Sequence, residues 1–490
     1  MRDQMVGTLR WGRPLAALSA LGAIAVLSFL SCKARTAPPR EAAWSRLDSI
    51  SASVINLRIN PDARHVAVVT KAHGKLLQVS LDGKKDNVFD TILSLTFSED
   101  GEHVAYVGAS VKSDPFRVEG VAVIDGKPGR PHEVVGDIHL SRDGKHMAYQ
   151  ASDDRGLTTW LVLDEARVRK HDSIKGIVFS PDGKRLAYCA GTIRRGGYAK
   201  SSCTWQTIVD GVAGKSYDSL GVPVFSLDSR RFAYGAFKEG RARVVADRQE
   251  LKMYDRVGEP VFSPCGKHLA FKASKGDQQV VVIDGTESET YWGVLGVAFS
   301  QDGKRVAYSV MADTTRDAEK CAVVVDGVEG KAYRGFVGGQ GRGPLFSPDG
   351  AHVAYVAGDS ASGRVVLDGR EGQVHTGGMP SDIAWSPMGN RLAYRAAAPG
   401  RGMLVVLDGK PGKRYDGVFT GTLTFSPDGK HIAYIARRGK KQFVVVDETE
   451  GRAFDWISSK DAGVVFDSPS SFHYIAGDGL NVLLVEETLK

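Results

Sequence analysis

The chain has 490 residues, of which 42% are hydrophobic, 25% are charged and 8% are aromatic. This is the composition of a globular protein, and it excludes an intrinsically disordered chain. A formal net charge of +7 over this length is too mild for a nucleic-acid-binding protein, so we predict no nucleic-acid partner. The 57 glycines exceed the usual share of about 7%, which predicts many tight turns between short strands.

The first segment, residues 1–31, has the pattern of a secretory signal. Residues 1–13 are basic overall, and no charged residue occurs from Pro14 to Cys32. A basic start followed by an apolar run that ends in small residues predicts export from the cytoplasm. Because nineteen uncharged residues can just span a bilayer, an uncleaved membrane anchor is an alternative interpretation.

The sequence FLSC at residues 29–32 resembles the cleavage box of bacterial lipoproteins, in which the cysteine carries the lipid. Ser31 fits that box, whereas Phe29 and Leu30 depart from it. The resemblance implies a lipid on Cys32, contact with the membrane through that lipid, and a periplasm-facing position in a bacterial envelope, at the outer membrane rather than the inner. A plain secreted protein is the third alternative. Residues 32–44 are polar and proline-rich, which predicts a tether.

The rest of the chain repeats one unit. The phrase FSPDGKRLAY at Phe179 returns as FSPDGKHIAY at Phe425, and looser copies bring the number of units to eleven, spaced 37 to 47 residues apart. Repeats of this period are typical of solenoids and propellers. The copies begin at Ile59, Phe97, Leu140, Phe179, Phe225, Phe262, Phe299, Phe346, Trp385, Phe425 and Phe466.

Each unit predicts four short strands. In S-P-D-G, proline and aspartate favour a turn, and glycine takes the left-handed conformation that closes a type I turn with a bulge, between a first and a second strand. An apolar run ended by Asp-Gly, such as VVVIDG ending at Gly285, predicts a third strand buried on both faces. A more polar phrase, such as KRYDG at Lys413, predicts a fourth, outer strand. Four strands in about 40 residues is the pattern of a propeller blade.

These phrases resemble the TolB-type, WD-repeat-like β-propeller repeats of bacterial periplasmic proteins. The resemblance covers the chain from about residue 45 to residue 490, and it implies an all-β fold of about eleven four-stranded repeats. It implies no single function, because such repeats serve unrelated roles. Since ordinary propellers have about four to eight blades, the array forms either two smaller rings, with a boundary near residue 260, or one unusually large ring.

The two ends of the array predict how it closes. The sequence SRLDSI at residues 45–50 matches the fourth-strand phrase, whereas NVLLVEETLK at residues 481–490 matches the third-strand phrase and has no fourth strand after it. Pairing these segments would remove an exposed sheet edge. We therefore expect the N-terminal segment to complete the last blade.

One repeat position, two residues before the alanine of the AY phrase, is always histidine or arginine. Such a set could form a rim of groups that titrate near neutral pH. The interpretation that we favour is structural: each cation would bond to the aspartate or the carbonyls of its own or a neighbouring turn. The set is His65, His103, His146, Arg185, Arg231, His268, Arg305, His352, Arg391, His431 and His473. We likewise expect the AY tyrosines to fill the space between adjacent sheets.

The sequence does not determine whether the four cysteines other than Cys32 form disulfides. Cys189 and Cys203 flank a predicted hairpin loop, so a cross-strand disulfide and two free buried thiols are both compatible with the sequence. No C-x-x-C pair occurs, which argues against a zinc site.

The chain contains no catalytic motif of the hydrolase-elbow, zinc-protease or phosphate-loop kinds, so we predict a non-catalytic protein without cofactor or metal. We expect a scaffold that binds other envelope proteins through loops that depart from the repeat, at residues 191–202, 311–320 and 335–343. The alternative is a binder of carbohydrate or small ligands, or a polysaccharide lyase, that uses the axial opening and histidines outside the repeat position. The loop residues that we predict to contact partners are Arg194, Arg195, Arg316, Lys320 and Arg342.

Overall fold

The computed structural model describes residues 40–49, 54–113, 116–153, 158–194, 202–313, 320–339 and 343–490, and in these ranges the protein consists of strands and turns. The strands form eleven antiparallel sheets, each a blade of four strands. The described ranges contain no helix, and so no helix that could cross a membrane. Cys32, the predicted signal and most of the predicted tether lie outside them.

The second and third strands form the centre of each blade. We number the blades 1 to 11 by the chain order of their second strands. These second strands are Val66–Lys71, Val104–Ser113, Met147–Ser152, Leu186–Arg194, Phe232–Lys238, Leu269–Lys275, Val306–Asp313, Val353–Gly358, Leu392–Ala397, Ile432–Arg438 and Ser471–Asp478. The third strands are Leu77–Leu81, Phe116–Ile124, Thr159–Leu163, Ser202–Val209, Arg241–Ala246, Gln278–Ile283, Lys320–Val325, Ser362–Leu367, Met403–Leu407, Lys441–Val446 and Asn481–Leu489.

The first strands pair with the second strands and form the inner edge of each blade; in six blades a bulge divides them into two segments. In blade order they are Val54–Ile59; Thr91–Phe97; Val134–Val135 with His139–Leu140; Ser173–Phe179; Ser219–Leu220 with Val224–Phe225; Arg256–Val257 with Val261–Phe262; Gly293–Phe299; Phe336–Gly338 with Leu345–Phe346; Ser381–Trp385; Gly417–Val418 with Thr424–Phe425; and Trp456–Ile457 with Val465–Phe466.

The fourth strands form the outer edge and are mostly exposed, as their polar sequences predict. In blade order they are Lys84–Phe89; Lys127–His132; Ala166–His171; Val212–Tyr217; Gln249–Glu250; Thr286–Glu287; Val328–Glu329 with Tyr333–Arg334; Arg370–Glu371 with His375–Thr376; Lys410–Pro411; Thr449–Glu450; and, in blade 11, Arg40–Ser49.

The core is distributed between the blades. Eleven clusters of buried apolar side chains are present in the described structure, and each joins one blade to the next. The third strands are buried on both faces, as their apolar runs predict; Val280, Val281 and Val282 are examples. A blade alone could not bury both of its faces, so the repetition of sequence follows from the need of every blade for two similar neighbours.

The blades form one ring of eleven. Blade 11 packs on blade 1 through Ile475 and Val482 against Val66 and Val68. Blades 5 and 6, on either side of residue 260, share a cluster like all the others. The two-ring alternative is therefore wrong, because no interface in the described structure lacks the apolar contacts that continue the ring.

The closing strand confirms the predicted pairing of the two ends. Arg40–Ser49 pairs antiparallel with Asn481–Leu489, from Arg40 opposite Leu489 to Ser49 opposite Asn481. The strand begins at Arg40, so residues 40–44, which we expected in the tether, belong to blade 11. The Arg40 side chain explains the longer strand: it is buried and lies 3.4 Å from the Glu487 carboxylate.

Candidate interaction surface

The order of strands in a blade assigns its connections to two ends. The turns between first and second strands lie at one end, which we call the turn rim: residues 60–65, 98–103, 141–146, 180–185, 226–231, 263–268, 300–305, 347–352, 386–391, 426–431 and 467–470. The hairpins between second and third strands lie at the other end, which we call the hairpin face. Because first strands form the inner edge, the turn rim surrounds one mouth of the central channel.

The turns have the predicted geometry. In blade 4 the Gly183 N–H donates to the Ser180 carbonyl at 2.8 Å, and Gly183 has φ of +73°, as a type I turn with a bulge requires. The Ser180 hydroxyl donates to Asp182 at 2.6 Å and accepts the backbone N–H of Arg185 at 3.0 Å. The serine and aspartate therefore satisfy polar groups of a turn that must hold the mouth of the channel.

The histidine or arginine position joins neighbouring blades, which confirms our structural interpretation. Arg185 pairs with Asp210, at the end of its own third strand, with Nε 2.9 Å from Oδ2. Its Nη1 donates to the carbonyls of Ser229 and Arg230 in the next blade, and its guanidinium lies 5.2 Å from the Phe225 ring centroid. Equivalent side-chain contacts, at 2.5 to 3.0 Å, join His65 to Asp82, His103 to Asp125, His146 to Asp164, Arg231 to Asp247, His268 to Asp284, Arg305 to Asp326, His352 to Asp368, Arg391 to Asp408 and His431 to Asp447. The prediction is wrong for His473, which lies opposite Val465 where other blades have the alanine, and whose partner Asp467 belongs to the turn.

The AY tyrosines are buried between sheets, as predicted. Some of their hydroxyls reach carboxylates, as Tyr106 does at Asp86, and others contact a histidine, as Tyr188 does at His171. Tyr474, the equivalent tyrosine of blade 11, donates to Glu487 at 2.7 Å. Burial and the nearby carboxylate raise the pKa of Tyr474 well above its usual value, so the hydroxyl remains a donor at any physiological pH. These side chains hold the blades together and do not form a ligand-stacking belt.

Three of the histidines outside the repeat position also serve packing. His132, His171 and His375 occupy a fourth-strand position and lie edge-on to the AY tyrosine of the next blade, with ring centroids 5.6 to 6.3 Å apart. Burial lowers the pKa of His171 and of His375, which favours their neutral forms. Among the described residues, no group of three or more His, Cys, Asp or Glu side chains is arranged to hold a metal ion.

A groove of about 560 Å³ opens on the channel wall below the turn rim of blades 2 to 5, which we call the mouth groove. Its apolar lining consists of Phe97, Ile138, Leu140, Ile177, Val178, Phe179, Pro181 and Leu227. Its polar lining consists of Thr96, Ser98, Ser180 and His139, together with an exposed ion pair between Arg142 and Glu99 at 3.2 Å. Burial lowers the pKa of His139.

The turn rim carries further exposed apolar side chains. Leu227 takes the proline position of its turn and is 62% exposed, and Met388 takes an aspartate position and is 67% exposed. Prolines are exposed at the equivalent position of several other turns: Pro61, Pro348, Pro387 and Pro427. Together with the mouth groove, these side chains form a broad surface of mixed apolar and charged character around one mouth.

The structure does not bring the three predicted loops together. The loops at 191–202 and 311–320 are second-to-third-strand hairpins of blades 4 and 7, on the hairpin face, whereas 335–343 interrupts the first strand of blade 8. Arg194 ends a second strand opposite Ser202, and Lys320 is exposed at the start of a third strand. Arg195, Arg316 and Arg342 lie outside the described residues.

The disulfide that we considered between Cys189 and Cys203 is absent, and both thiols are free. The hairpin itself is as predicted, but its register places Cys189 opposite Thr207 and Cys203 opposite Ile193. The two cysteines are thus four positions apart along paired strands, about 13 Å, which is too far for a disulfide. Burial raises the pKa of Cys189 to about 11, so its thiol is unreactive.

Sequence reasoning missed the mouth groove and Leu227. A signal was present, because blade 5 reads SLDS where most units read SPDG or close variants of it. That departure exposes a leucine where a proline would lie. The mouth groove beside it could not be predicted from the sequence of any one repeat, because four consecutive blades contribute its lining.

Comparisons with known proteins give fold similarity only. No protein-family model matches the chain, and neither does any curated protein. Similar solved structures include a eukaryotic initiation factor (TM-score 0.41, 11% identity, 76% of this chain and 91% of that chain). They also include the β-propeller domain of the Trilobed protease from Pyrococcus furiosus (TM-score 0.28, 12% identity, 58% of this chain and 96% of that chain). A third is TolB from Acinetobacter baumannii (TM-score 0.24, 11% identity, 61% of this chain and 79% of that chain). At these scores the assignment of the fold rests on the eleven sheets themselves.

Proposed function

We propose that this chain is a non-catalytic scaffold of the bacterial envelope that binds another envelope protein at its turn rim. The observation that carries the proposal is the mouth groove together with the exposed Leu227 and Met388. An exposed apolar groove with charged groups at its edge is characteristic of a protein-binding site, and Met388 adds a separate exposed apolar side chain on the turn rim of blade 9. The lipid on Cys32 and the envelope location belong to this proposal and are supported by the N-terminal sequence alone.

The channel mouth suits a protein partner better than a small ligand. The mouth groove is open and extends over four blades, whereas small-ligand sites enclose most of their ligand. Its charged groups, Arg142 and Glu99, form an ion pair that is exposed to water. An apolar centre with a polar, wet edge is the usual anatomy of an interface between proteins.

The test is crosslinking and pull-down from the native envelope with the wild-type chain and two variants. Leu227→Asp places a charge on the turn rim, and Leu480→Asp places the same charge on the second-to-third-strand hairpin of blade 11. Both leucines are similarly exposed, at 62% and 66%, so neither variant should unfold the protein. We expect one reproducible protein partner that Leu227→Asp loses and Leu480→Asp retains.

Two results would overturn the proposal. The first is the same loss of the partner in both variants, because the turn rim would then have no special role. The second is enrichment of glycan fragments without a protein, which would favour the carbohydrate-binding or lyase alternative.

A further inference from the structure

A second candidate binding site lies at the other end of the ring, on the inner edge of blades 9 and 10. It is a pocket of about 460 Å³ lined by Arg395, Gly417, Val418, Phe419, Thr420, Arg437 and Gln442, which we call the arginine pocket. Gly417–Val418 begins a first strand and pairs with the end of the second strand at Arg437 and Ala436. This places the pocket near the hairpin face, away from the turn rim.

The pocket departs from the repeat at one side chain in particular. Blade 5 has an equivalent pocket of about 390 Å³, in which Ser219 pairs with Phe237 and Phe237 pairs with Ala242. In blade 10 the same two pairings join Gly417 to Arg437 and Arg437 to Gln442. A guanidinium and an amide thus replace a phenyl ring and a methyl group at identical positions of the fold.

The Arg437 side chain lies in the pocket without a carboxylate partner. Its Nε and Nη2 are 3.6 and 3.8 Å from the point where a β-carbon on Gly417 would lie, so the guanidinium rests over the bare backbone of that glycine. No carboxylate among the described residues is within ion-pair distance of Arg437. Its neighbour Arg438 differs, because it forms two hydrogen bonds of 2.8 Å with Glu450.

Arg395 supplies a second guanidinium that the protein holds in a fixed position. Its Nε and Nη2 donate to the Ser381 hydroxyl at 3.2 and 2.9 Å, and its Nη1 donates to the Val418 carbonyl at 2.9 Å. The buried Asp382 carboxylate, 3.1 Å from Nε, balances its charge. Because each η nitrogen carries two N–H groups, one on each remains available to a ligand.

The charge of the site selects its ligand. Arg395 is balanced by Asp382, and Arg437 is not balanced, so the pocket has one excess positive charge. A carboxylate carries one negative charge and accepts two N–H donors in its plane, which matches the guanidinium. A phosphate monoester carries nearly two negative charges and would leave one of them uncompensated.

We infer that the arginine pocket binds a carboxylate group, from an acidic side chain or the C-terminus of a partner protein. Arg437 supplies the charge, and Arg395 supplies two oriented N–H donors. Phe419, which is only partly buried, is placed to contact the apolar part of the same residue. This site is independent of the turn rim, so each can fail without the other.

The test measures binding of a fluorescein-labelled peptide of alternating Glu and Ser residues by anisotropy, with a control peptide in which Gln replaces Glu. We expect Arg437→Gln to weaken binding of the Glu peptide about tenfold, the loss expected for one charge-assisted contact. Arg438→Gln removes the same charge from the adjacent residue, and we expect less than about a twofold change, since an exposed ion pair contributes little. The Gln peptide should not bind, and unchanged melting temperatures would show that both variants are folded.

Four results would overturn the inference. Equal weakening by both variants would indicate diffuse attraction to a basic surface. Displacement of the peptide by inorganic phosphate at concentrations where acetate has no effect would assign the site to phosphate. Sedimentation with phosphatidylglycerol vesicles that Arg437→Gln abolishes, without peptide binding, would assign it to a membrane. Failure of the Glu peptide to bind the wild-type chain would remove the site altogether.

Discussion

The interface that closes the ring differs from the interface between blades 4 and 5. In the internal interface, Arg185 joins its blade to the carbonyls of the next turn while remaining 25% exposed. At the closure, His473 is only 1% exposed, with Nδ1 2.8 Å from Asp467 and Nε2 2.5 Å from the Asp62 carbonyl. Arg64 also reaches Asp467 at 2.6 Å. The closure therefore differs in one buried contact, that of His473 with the Asp62 carbonyl, whereas Arg64 and Asp467 remain 39% and 34% exposed.

The difference follows from chain connectivity. Blades 4 and 5 are consecutive in sequence, so a short connection already holds them near each other. Arg40–Ser49, the outer strand of blade 11, is followed along the chain by blade 1, and pairing with residues more than 400 positions away holds it in blade 11. Contacts alone must therefore offset the entropy of closing the ring. The closing strand adds to this, because Arg40 is 8% exposed and contacts both Glu487 and the Val444 carbonyl of blade 10.

The largest expected effect is that of Arg40→Met. The substitution leaves the Glu487 carboxylate buried, at 2% exposure, without its ion-pair partner. We expect a loss of about 3 to 5 kcal/mol in the free energy of unfolding, as for other broken buried pairs. Denaturant unfolding measures it, and Arg46→Met in the same strand is the control, since Arg46 is exposed. Equal, small effects of the two would mean that the closing strand does not stabilise the ring.

A smaller effect is expected from His473→Ala, compared with His146→Ala at the histidine or arginine position of blade 3. His473 is buried with two hydrogen-bonding partners, whereas His146 is half exposed and pairs with Asp164. We expect the free energy of unfolding to fall by about 2 to 3 kcal/mol in His473→Ala and by less than about 1 kcal/mol in His146→Ala. Thermal unfolding followed by circular dichroism measures both. A larger loss for His146 would contradict the distinction between closing and internal interfaces.

The interface between blades 5 and 6 is expected to contribute a pH-dependent part of the stability. Glu287 accepts hydrogen bonds from Lys252, Lys275 and Tyr254. These bonds, above all those from the two lysines, lower the pKa of its carboxyl group to about 2. A carboxyl group with a lowered pKa stabilises the fold fully above its unfolded value of about 4.5, and this contribution is lost as the pH falls toward 2. We expect Glu287→Gln to cost about 1 kcal/mol at pH 7 and almost nothing at pH 2. A constant difference in urea-unfolding free energy across this range would refute the assignment.

The smallest effect is a gain from Cys265→Asp. Cys265 stands where most turns have aspartate, with its sulfur 3.3 Å from the Ser263 hydroxyl. An aspartate there would accept hydrogen bonds from that hydroxyl and a backbone N–H, as Asp182 does in blade 4. We expect an increase of about 0.5 to 1 kcal/mol in the free energy of unfolding. A decrease would show that this turn is not equivalent to the others.

The local parts of this fold could be predicted from the sequence, because each is determined within one repeat. Ser180 to Gly183 specify a turn whatever surrounds them, and the apolar run at 280–282 specifies a buried strand. The pairing of the two chain ends could also be predicted, since the last unit lacks one of its four phrases. The number of rings could not, because it depends on the angle between adjacent blades, which packing of side chains such as Tyr254 against Phe271 determines.

The candidate sites were less predictable than the fold. The mouth groove needs Phe97, Ile138, Phe179 and Leu227 from four different blades, and the arginine pocket needs Arg395 from blade 9 beside Arg437 from blade 10. A single repeat shows only that such residues depart from their equivalents. Which departures meet in space depends on the register between strands and between blades, and the structure supplies that information.

Hydrogen exchange of the backbone amides tests most directly whether the eleven blades form one closed ring. The fragments to follow are residues 40–49 and 481–489, with Lys84–Phe89, the outer strand of blade 1, as the reference. Closure predicts that amides of Arg40–Ser49 paired with Asn481–Leu489 exchange as slowly as those of the reference strand. Exchange of residues 40–49 at the rate of an unstructured peptide, with the reference strand still protected, would contradict the closed ring.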